Sequence, residues 1–211
     1  MNRTLTIAKR EFRGYFNSPV AYIVVCLFLL AMGGFFWSPF FIANRASVRG
    51  MFDLMSALLL LTAPAMTMGL LAEEKRTGTI EILLTMPVRD TEVILGKYLA
   101  AMGLLTVLLA CTLAYPLSVS TLGHLDWGPV WAGYGAVLLQ GGAMLALGVL
   151  TSSWTDNQLI AFFASAFACF VFWVISRFIP FMPPQVASIV EWISFDYHFD
   201  DMARGVIDTR N

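Results

Sequence analysis

Five long apolar runs, almost free of charged side chains, dominate this chain of 211 residues. A helix needs about 20 residues to cross roughly 30 Å of hydrocarbon, and only the fifth run is somewhat short. Because the runs lack the alternation of a membrane β-barrel, they predict helices that satisfy their own backbone hydrogen bonds in lipid. The expected fold is an all-α, polytopic membrane bundle. Its predicted spans are residues 20–37, 54–72, 98–122, 130–150 and 159–175.

The composition agrees with a membrane protein. Hydrophobic residues make up 58% of the chain and charged residues 13%, against roughly a quarter charged in soluble proteins. A single transmembrane domain over residues 1–211 leaves no room for a soluble catalytic domain. The basic start followed by an apolar run is typical of a signal peptide, but the run is long and no small-x-small cleavage site follows it. We therefore expect a retained span.

The distribution of basic residues predicts the orientation. Eight of the 13 Lys and Arg residues precede the first span or lie between the second and third spans. They are Arg3, Lys9, Arg10, Arg13, Lys75, Arg76, Arg89 and Lys97. Because cytoplasmic loops are enriched in basic residues, these regions are expected to be cytoplasmic. This predicts a multi-pass protein of the inner or plasma membrane with a cytoplasmic N terminus.

The first 17 residues have a helical pattern of their own. Apolar residues recur at helical spacing at Leu5, Ala8, Phe12 and Tyr15 or Phe16. Basic residues occupy the other faces at Lys9, Arg10 and Arg13. The pattern predicts an amphipathic helix at the membrane interface, whose basic side suits anionic lipid headgroups. The alternative is a solvated tail.

The predicted spans contain few polar residues. Gln140 and scattered Ser and Thr are present, but no Asp, Glu, Lys, Arg or His lies at mid-depth. Proton-coupled carriers and ion pathways normally place an ionisable group there, so an external energy source is favoured. The three cysteines, Cys26, Cys111 and Cys169, lack the spacing of a metal or redox motif. No catalytic, cofactor or metal residue is predicted.

Small residues concentrate in the fourth and fifth spans. They are Gly133, Gly135, Gly141, Gly142, Ala146, Gly148, Ala161, Ala164, Ser165 and Ala168. Spacings of four, as in Gly142 with Ala146, favour close helix packing, and a sliding surface is the alternative. Pro64 and Pro116 predict kinks that are either hinges or static bends.

One strongly charged stretch, residues 73–97, separates the second and third spans. It predicts a turn at Thr77 and Gly78, a short helix over residues 79–85 and a stop at Pro87. Asp90 or Thr91 is expected to cap the following helix. The mixture of charges suits a protein partner, whereas nucleic acid would require a surface of basic residues alone.

This stretch resembles the first cytoplasmic loop of ABC-2 type permeases, the membrane subunits of one class of ATP-binding cassette transporters. The resemblance rests on EEKRTGTIEILLTMPV at residues 73–88 and EVILGK at residues 92–97. The N-terminal helix, with AKRE at residues 8–11 and Ser18-Pro19 at its end, is similar to members of the gliding-motility and export subgroup.

The resemblance implies a permease half that pairs with a second half, identical or different, and with two cytoplasmic ATPase subunits. ATP and Mg²⁺ would then be bound by the ATPase partner and not by this chain. The implied ATPase-coupling residues are Glu73, Glu74, Arg76, Thr77, Gly78, Thr79, Glu81, Leu83, Leu84 and Pro87. The implied interfacial connecting helix includes Lys9, Arg10, Glu11, Phe12 and Arg13. Gly96-Lys97 is not a phosphate-binding loop, because no Ser or Thr follows the lysine.

The last part of the chain departs from that family. Its members usually have six spans, and the resemblance implies a sixth soon after residues 205–210, which is either removed by truncation or supplied by another chain. Residues 178–207 are expected to form a re-entrant helix on the outer side or an interfacial helix held by Trp192 and Tyr197. The acidic run at residues 196–201 contains a single His and favours a solvated loop over a metal site.

Two functions remain from this reading. The first is a permease that exports or moves a substrate with energy from a separate ATPase. The second is a membrane scaffold or mechanical relay that uses the same ATPase without carrying cargo. Transport requires a cavity or lateral cleft at mid-depth in the assembled dimer, and a relay does not. An intramembrane enzyme is disfavoured because the spans lack paired ionisable residues.

Overall fold

A computed structural model describes residues 3–43, 49–79, 89–122 and 125–178, and in these residues the regular structure is entirely α-helical. The helices are α1 (Arg3–Asn17), α2 (Pro19–Ala43), α3 (Arg49–Thr67), α4 (Ala72–Thr77), α5 (Asp90–Thr112), α6 (Ala114–Leu122), α7 (Trp127–Trp154) and α8 (Gln158–Phe178). Five stretches are long and apolar enough to cross a membrane: Pro19–Trp37, Gly50–Thr77, Asp90–Thr121, Trp127–Trp154 and Gln158–Ile175. The prediction of an all-α, polytopic bundle with five spans is confirmed.

The centre of the bundle is formed by α3 and α7. Helix α7 packs against α3, α5 and α8, while α3 also packs against α2 and α8. The fully buried side chains between them include Phe52, Met55, Leu59, Leu105, Met144 and Leu145. Helices α2 and α8 flank this centre and leave most of their surface uncovered by the rest of the chain.

Glycines on one face of α7 bring its neighbours close. A Cβ at Gly133 would lie 2.5 Å from the Phe52 ring, and one at Gly141 would lie 2.6 Å from Leu105. Residues spaced by about two turns share a helix face, so the glycines form one packing surface. The close-packing interpretation is confirmed at these positions.

The predicted pairs at spacing four behave differently from one another. Gly142 packs against Tyr98 and Met102, but Ala146 is exposed, so these two residues do not share a buried face. On α8, Ala161 and Ser165 are both buried, as predicted. Residues four apart point about 40° away from each other around a helix, so whether both are buried depends on how far the neighbouring helices extend around it.

The helix is interrupted just before Pro116, where a kink is predicted. Helix α5 ends at Thr112, four residues before the proline, and α6 resumes at Ala114. Between them the Leu113 N–H turns back to the Ala110 carbonyl at 3.2 Å. A proline supplies no N–H to the carbonyl four residues earlier and clashes with it, which accounts for the break at this place. Pro64 lies inside α3, which ends three residues later at Thr67.

Several predictions fall on residues outside the described part of the chain. The short helix predicted over residues 79–85 lies almost wholly there, together with the site residues Glu81, Leu83, Leu84 and Pro87. The same is true of residues 179–211, which include the predicted re-entrant region and the acidic run.

Candidate functional site

Three polar elements meet at one end of the bundle. Helix α1 packs along the first half of α5, and α4 contacts the end of α7 and the start of α8. The eight basic residues predicted to be cytoplasmic all lie in α1, in α4 or around the start of α5. The charges that are distant in sequence are therefore gathered on one side of the membrane-spanning helices.

Helix α1 is seated in a groove of small residues on α5. A Cβ at Gly96 would lie 2.7 Å from the Ile7 side chain, and one at Gly103 would lie 3.0 Å from the Phe12 ring. Ala8, which lies between these contacts on α1, is buried. Leu5, which belongs to the predicted apolar face, is 67% exposed and takes no part in this packing. The packed face of α1 is thus directed at protein, and its basic residues remain outside.

Tyr15 fastens the other end of α1 to the end of α3. Its hydroxyl donates a 2.7 Å hydrogen bond to the Met66 carbonyl, one of the carbonyls that a helix end leaves without an intrahelical partner. Burial, and to a lesser degree the nearby Glu11 carboxylate, raise the pKa of Tyr15 above its ordinary value. The phenol therefore stays protonated and remains a donor.

Lys97 and its two carboxylate partners, Glu11 and Glu74, form a charged cluster with the lysine at its centre. Its side chain is 2% exposed, and its ammonium donates to Glu74 Oε1 at 2.7 Å. Glu11 Oε2 lies 3.5 Å from the same ammonium. Glu11 belongs to α1, Glu74 to α4 and Lys97 to α5. One buried cation therefore joins three helices that are separated in sequence.

A buried charge is stable only when it is paired, because the cost of removing it from water exceeds most single interactions. The second Glu74 oxygen is buried, and no described residue hydrogen-bonds to it. Lys97 is accordingly the main compensation for Glu74. The sequence interpretation treated Lys97 only as a cytoplasmic charge. The one signal that could have revealed it is its position next to Gly96, at the start of an apolar run.

Ser152 holds the turn between α3 and α4. Its hydroxyl accepts hydrogen bonds from the backbone N–H groups of Leu71 and Ala72 at 3.2 and 3.1 Å. The same hydroxyl lies 3.1 Å from the Met68 carbonyl, to which it donates. Ser152 is fully buried near the end of α7. Helix α4 is thereby tied to the membrane bundle at its first residue.

Charged side chains extend this connection along α4. The Lys75 ammonium donates to the backbone carbonyl of Ser153. Arg76 and Glu73 form a loose pair at 3.9 Å, with both side chains more than half exposed. A pair this exposed contributes little to stability. The outer side of α4 is therefore a mixed-charge surface that a partner can reach.

The turn predicted at Thr77 and Gly78 is confirmed. Gly78 ends α4 with φ of 70°, a left-handed conformation that favours glycine. Its N–H bonds to the Lys75 carbonyl at 3.2 Å, and the Thr77 hydroxyl donates to the Glu73 carbonyl at 2.9 Å. This glycine sets the direction in which the chain leaves α4.

The cap predicted at Asp90 or Thr91 is wrong. Arg89 is the N-cap of α5, with extended backbone angles, and Asp90 is the first helical residue. The Glu92 carboxylate accepts the Arg89 backbone N–H at 3.1 Å, as the third-position acid of a capping box does. Asp90 and Glu92 still place negative charge at the positive end of the helix dipole.

A cavity of about 470 Å³ opens beside the charged cluster. Its polar lining includes Glu11, Tyr15, Glu73, Glu74, Lys97 and Gln158. Among the described residues, no three His, Cys, Asp or Glu side chains are grouped so that they could hold a metal ion.

The predicted site residues divide into two groups. Glu11, Phe12 and Glu74 are partly buried and connect α1, α4 and α5. The exposed group consists of Lys9, Arg10, Arg13, Glu73, Arg76, Thr77, Gly78 and Thr79. The first group joins elements within the chain, and the second is available to partners. Ser152 and Lys97 belong to this end of the molecule but were missed as site residues.

Comparison with known proteins identifies the family. Residues 11–195 match the model of the ABC-2 family transporter protein. No curated protein matches the chain. The matched region contains α4, α5 and nearly all of the charged cluster, from Glu11 onward. A multi-pass helical chain with this match over most of its length belongs to the ABC-2 family of transporter membrane proteins.

Proposed function

We propose that this chain is the permease subunit of an ATP-binding cassette transporter. In this role it couples ATP hydrolysis by a separate cytoplasmic ATPase to the export or movement of a substrate across the inner or plasma membrane. The observation that carries the proposal is the attachment of α4 to α1, α5 and α7 through Lys97 and Ser152, in a member of the ABC-2 family.

A coupling surface must be both reachable and firmly joined to the spans. The outer side of α4 is exposed at Glu73, Lys75 and Arg76, and its mixed charges suit a protein surface of complementary pattern. Its inner side is held by a buried ion pair and by hydrogen bonds to Ser152. Force applied to the outside of α4 is therefore passed to the membrane helices.

The partners follow from this division of roles. Two cytoplasmic ATPase subunits bind and hydrolyse ATP with Mg²⁺, and a second permease half, identical or different, completes the transmembrane unit. The ATPase must contact the loop differently in its two nucleotide states, because a ligand shifts a conformational equilibrium only through differential affinity. The N terminus and α4 then face the cytoplasm.

Lipid is the further partner of α1. Lys9, Arg10 and Arg13 remain exposed after its apolar face has packed on α5. Helix α2 begins at Pro19, two residues after α1 ends, so α1 lies close to the start of a span. Its basic side suits the anionic headgroups of the cytoplasmic leaflet.

The docking role is tested by purifying the complex of the full chain with the ATPase that accompanies it. Gly78→Val should lower the amount of ATPase bound, because a β-branched residue is strained at this positive φ. Glu81→Lys should do the same by reversing a charge in the predicted coupling segment. Gly78→Asn is the matched control, since Asn tolerates the left-handed region.

The docking surface would be rejected if both Gly78→Val and Glu81→Lys retained the ATPase and its stimulated hydrolysis. A transporting permease and a cargo-free relay would give the same docking result. They are separated by whether the assembled dimer encloses a cavity or cleft at mid-depth.

A further inference from the structure

We propose that Lys97 is a positioning residue that makes α1, α4 and α5 move as one unit when the ATPase displaces α4. This inference rests on the proposed function and adds to it a transmission step inside the permease. In this step the ATPase surface stays attached to α4, and Lys97 carries the displacement to the spans.

The first argument is the depth and connectivity of the ammonium. Lys97 is one of the largest fully buried side chains of the described residues, and it is the charged one among them. Its two carboxylate partners come from different helices, at 2.7 Å for Glu74 and 3.5 Å for Glu11. Separating α4 from α5 would leave the buried ammonium with the more distant Glu11 carboxylate alone, and a buried charge is stable only when it is well paired.

The second argument is the condition of the Glu74 carboxylate. One oxygen accepts the Lys97 ammonium, and the other is buried without a hydrogen bond from any described residue. Among the described residues, Lys97 is the donor to this carboxylate, and no second donor is in place to replace it when α4 is displaced. Movement of α4 must therefore draw Lys97 and α5 with it, or the carboxylate must move out to water.

The third argument is the position of Glu11. The ammonium lies between the Glu74 and Glu11 carboxylates and contacts both, so one cation holds α4 and α1 to α5. A displacement of α4 that draws Lys97 with it therefore acts on the Glu11 carboxylate and on α1 as well. Packed helices do not deform continuously, so a local shift of this kind moves whole helices.

The hydrogen bonds of Ser152 and Tyr15 near this cluster each join only two elements. Ser152 joins the α3–α4 turn to α7, and Tyr15 joins α1 to α3, in both cases through neutral hydrogen bonds to backbone atoms. These contacts anchor two elements each. Among the described residues, the Lys97 cluster is the ionic contact that connects three helices.

The experiment uses the full chain with its co-purified ATPase subunits in lipid nanodiscs. Cys111 of α5 is exposed, and Cys26→Ser leaves it as the exposed cysteine of the three. A nitroxide attached to Cys111 reports movement of α5 through its spectral line shape, with and without MgATP. The measured quantity is a ratio, the change in line shape divided by the amount of ATP hydrolysed. The amount of bound ATPase is determined on the same sample.

Lys97→Gln should reduce this ratio about tenfold, within the range of coupling between two sites in proteins. Lys97→Arg keeps the cation and should retain most of the response. Asp156→Asn removes an exposed charge at the same end of the bundle and serves as the control. A wild-type ratio in Lys97→Gln, or an equal loss in Lys97→Arg, would overturn the proposal.

A second variant covers the case in which Lys97→Gln does not assemble. Glu74→Gln removes the closer carboxylate, which belongs to α4, and leaves the Lys97–Glu11 contact in place. A lowered ratio in Glu74→Gln supports the transmission role, and a wild-type ratio rejects it. If the unmodified chain retains no ATPase, the proposed function itself fails, and this outcome is visible before any variant is labelled.

Discussion

Ser152 satisfies three backbone groups with one hydroxyl. The two N–H groups belong to the turn between α3 and α4, and the carbonyl belongs to Met68 of the same turn. Buried backbone groups without partners are rare because each costs roughly as much as a lost hydrogen bond. The geometry of the turn therefore depends on a residue about 80 positions later in the chain.

Ser152→Ala should open this turn. Leaving two buried donors unpaired costs about 1–3 kcal/mol for each, so trypsin should cleave faster after Lys75 and Arg76 in the detergent-solubilised protein. Ser153→Ala is the control, because the Ser153 hydroxyl bonds to Leu150 within its own helix. Equal cleavage rates in the two variants would contradict the assigned role of Ser152.

Gly148 provides a second test at a single position. A Cβ there would lie 2.0 Å from Thr67 Oγ1 and 2.8 Å from Thr67 Cβ. Gly148→Ala should lower the free energy of unfolding by about 1–3 kcal/mol through overpacking. Gly135→Ala meets nothing within 4 Å and should be neutral. The measurement is the melting temperature of both variants in detergent. An unchanged melting temperature for Gly148→Ala would argue against the packing of α3 on α7.

Helix α1 packs on α5 because large side chains of α1 fit against small residues of α5. The groove of α5 is made by Gly96 and Gly103, and the knobs that fill it are Ile7 and Phe12. Small residues let membrane helices approach closely and gain dispersion contacts without a hydrophobic driving force. The seat of α1 on α5 thus sets the position of Glu11 relative to Lys97.

Gly96→Ala should displace α1. The new methyl group would lie 2.7 Å from Ile7 Cγ2 and 2.9 Å from Ile7 Cβ, and a β-branched side chain cannot rotate away easily. Tryptic cleavage after Arg13 should become faster, and adding Ile7→Ala, which removes Cγ2 and keeps Cβ, should return the rate part of the way to the wild-type value. Gly14→Ala, which meets nothing within 4 Å, is the control. Absence of rescue would show that Ile7 is not the obstructing residue.

The hydropathy pattern was sufficient to predict the helices but not their partners. Length and apolar composition identify a span because the bilayer imposes both. An amphipathic pattern does not reveal whether the apolar face meets lipid or protein, so the seat of α1 on α5 was not predictable. Ile7 was missed because it lies beside the stripe begun by Leu5. Burial of Lys97 was missed because linear charge patterns carry no information on depth.

The whole bundle has one densely packed centre and two uncovered flanks. Helices α2 and α8 expose large apolar side chains that include Ile23, Leu27, Phe163 and Phe167. In a membrane these surfaces meet lipid or, in the proposed assembly, a second permease half. The polar end, formed by α1, α4 and the start of α5, is opposite the connection between α6 and α7.

This arrangement predicts a topology that can be measured. In a variant with the native cysteines replaced, Asp156→Cys should react with a membrane-impermeant maleimide only from the cytoplasmic side. Leu125→Cys should react only from the opposite side, because α7 separates the two positions by the thickness of the membrane. Labelling of both positions from the same side would invalidate the bundle, and the reverse pattern would invert the proposed orientation.

The groove for α1 also bears on biogenesis. Ribosomes complete α1 well before Gly96 and Gly103 are translated, at about 5–20 residues per second. During those seconds Ile7 and Phe12 have no protein surface to cover them. Assembly of the charged end is consequently a late event that follows insertion of the third hydrophobic segment, and a nascent chain arrested before Gly96 should carry α1 undocked.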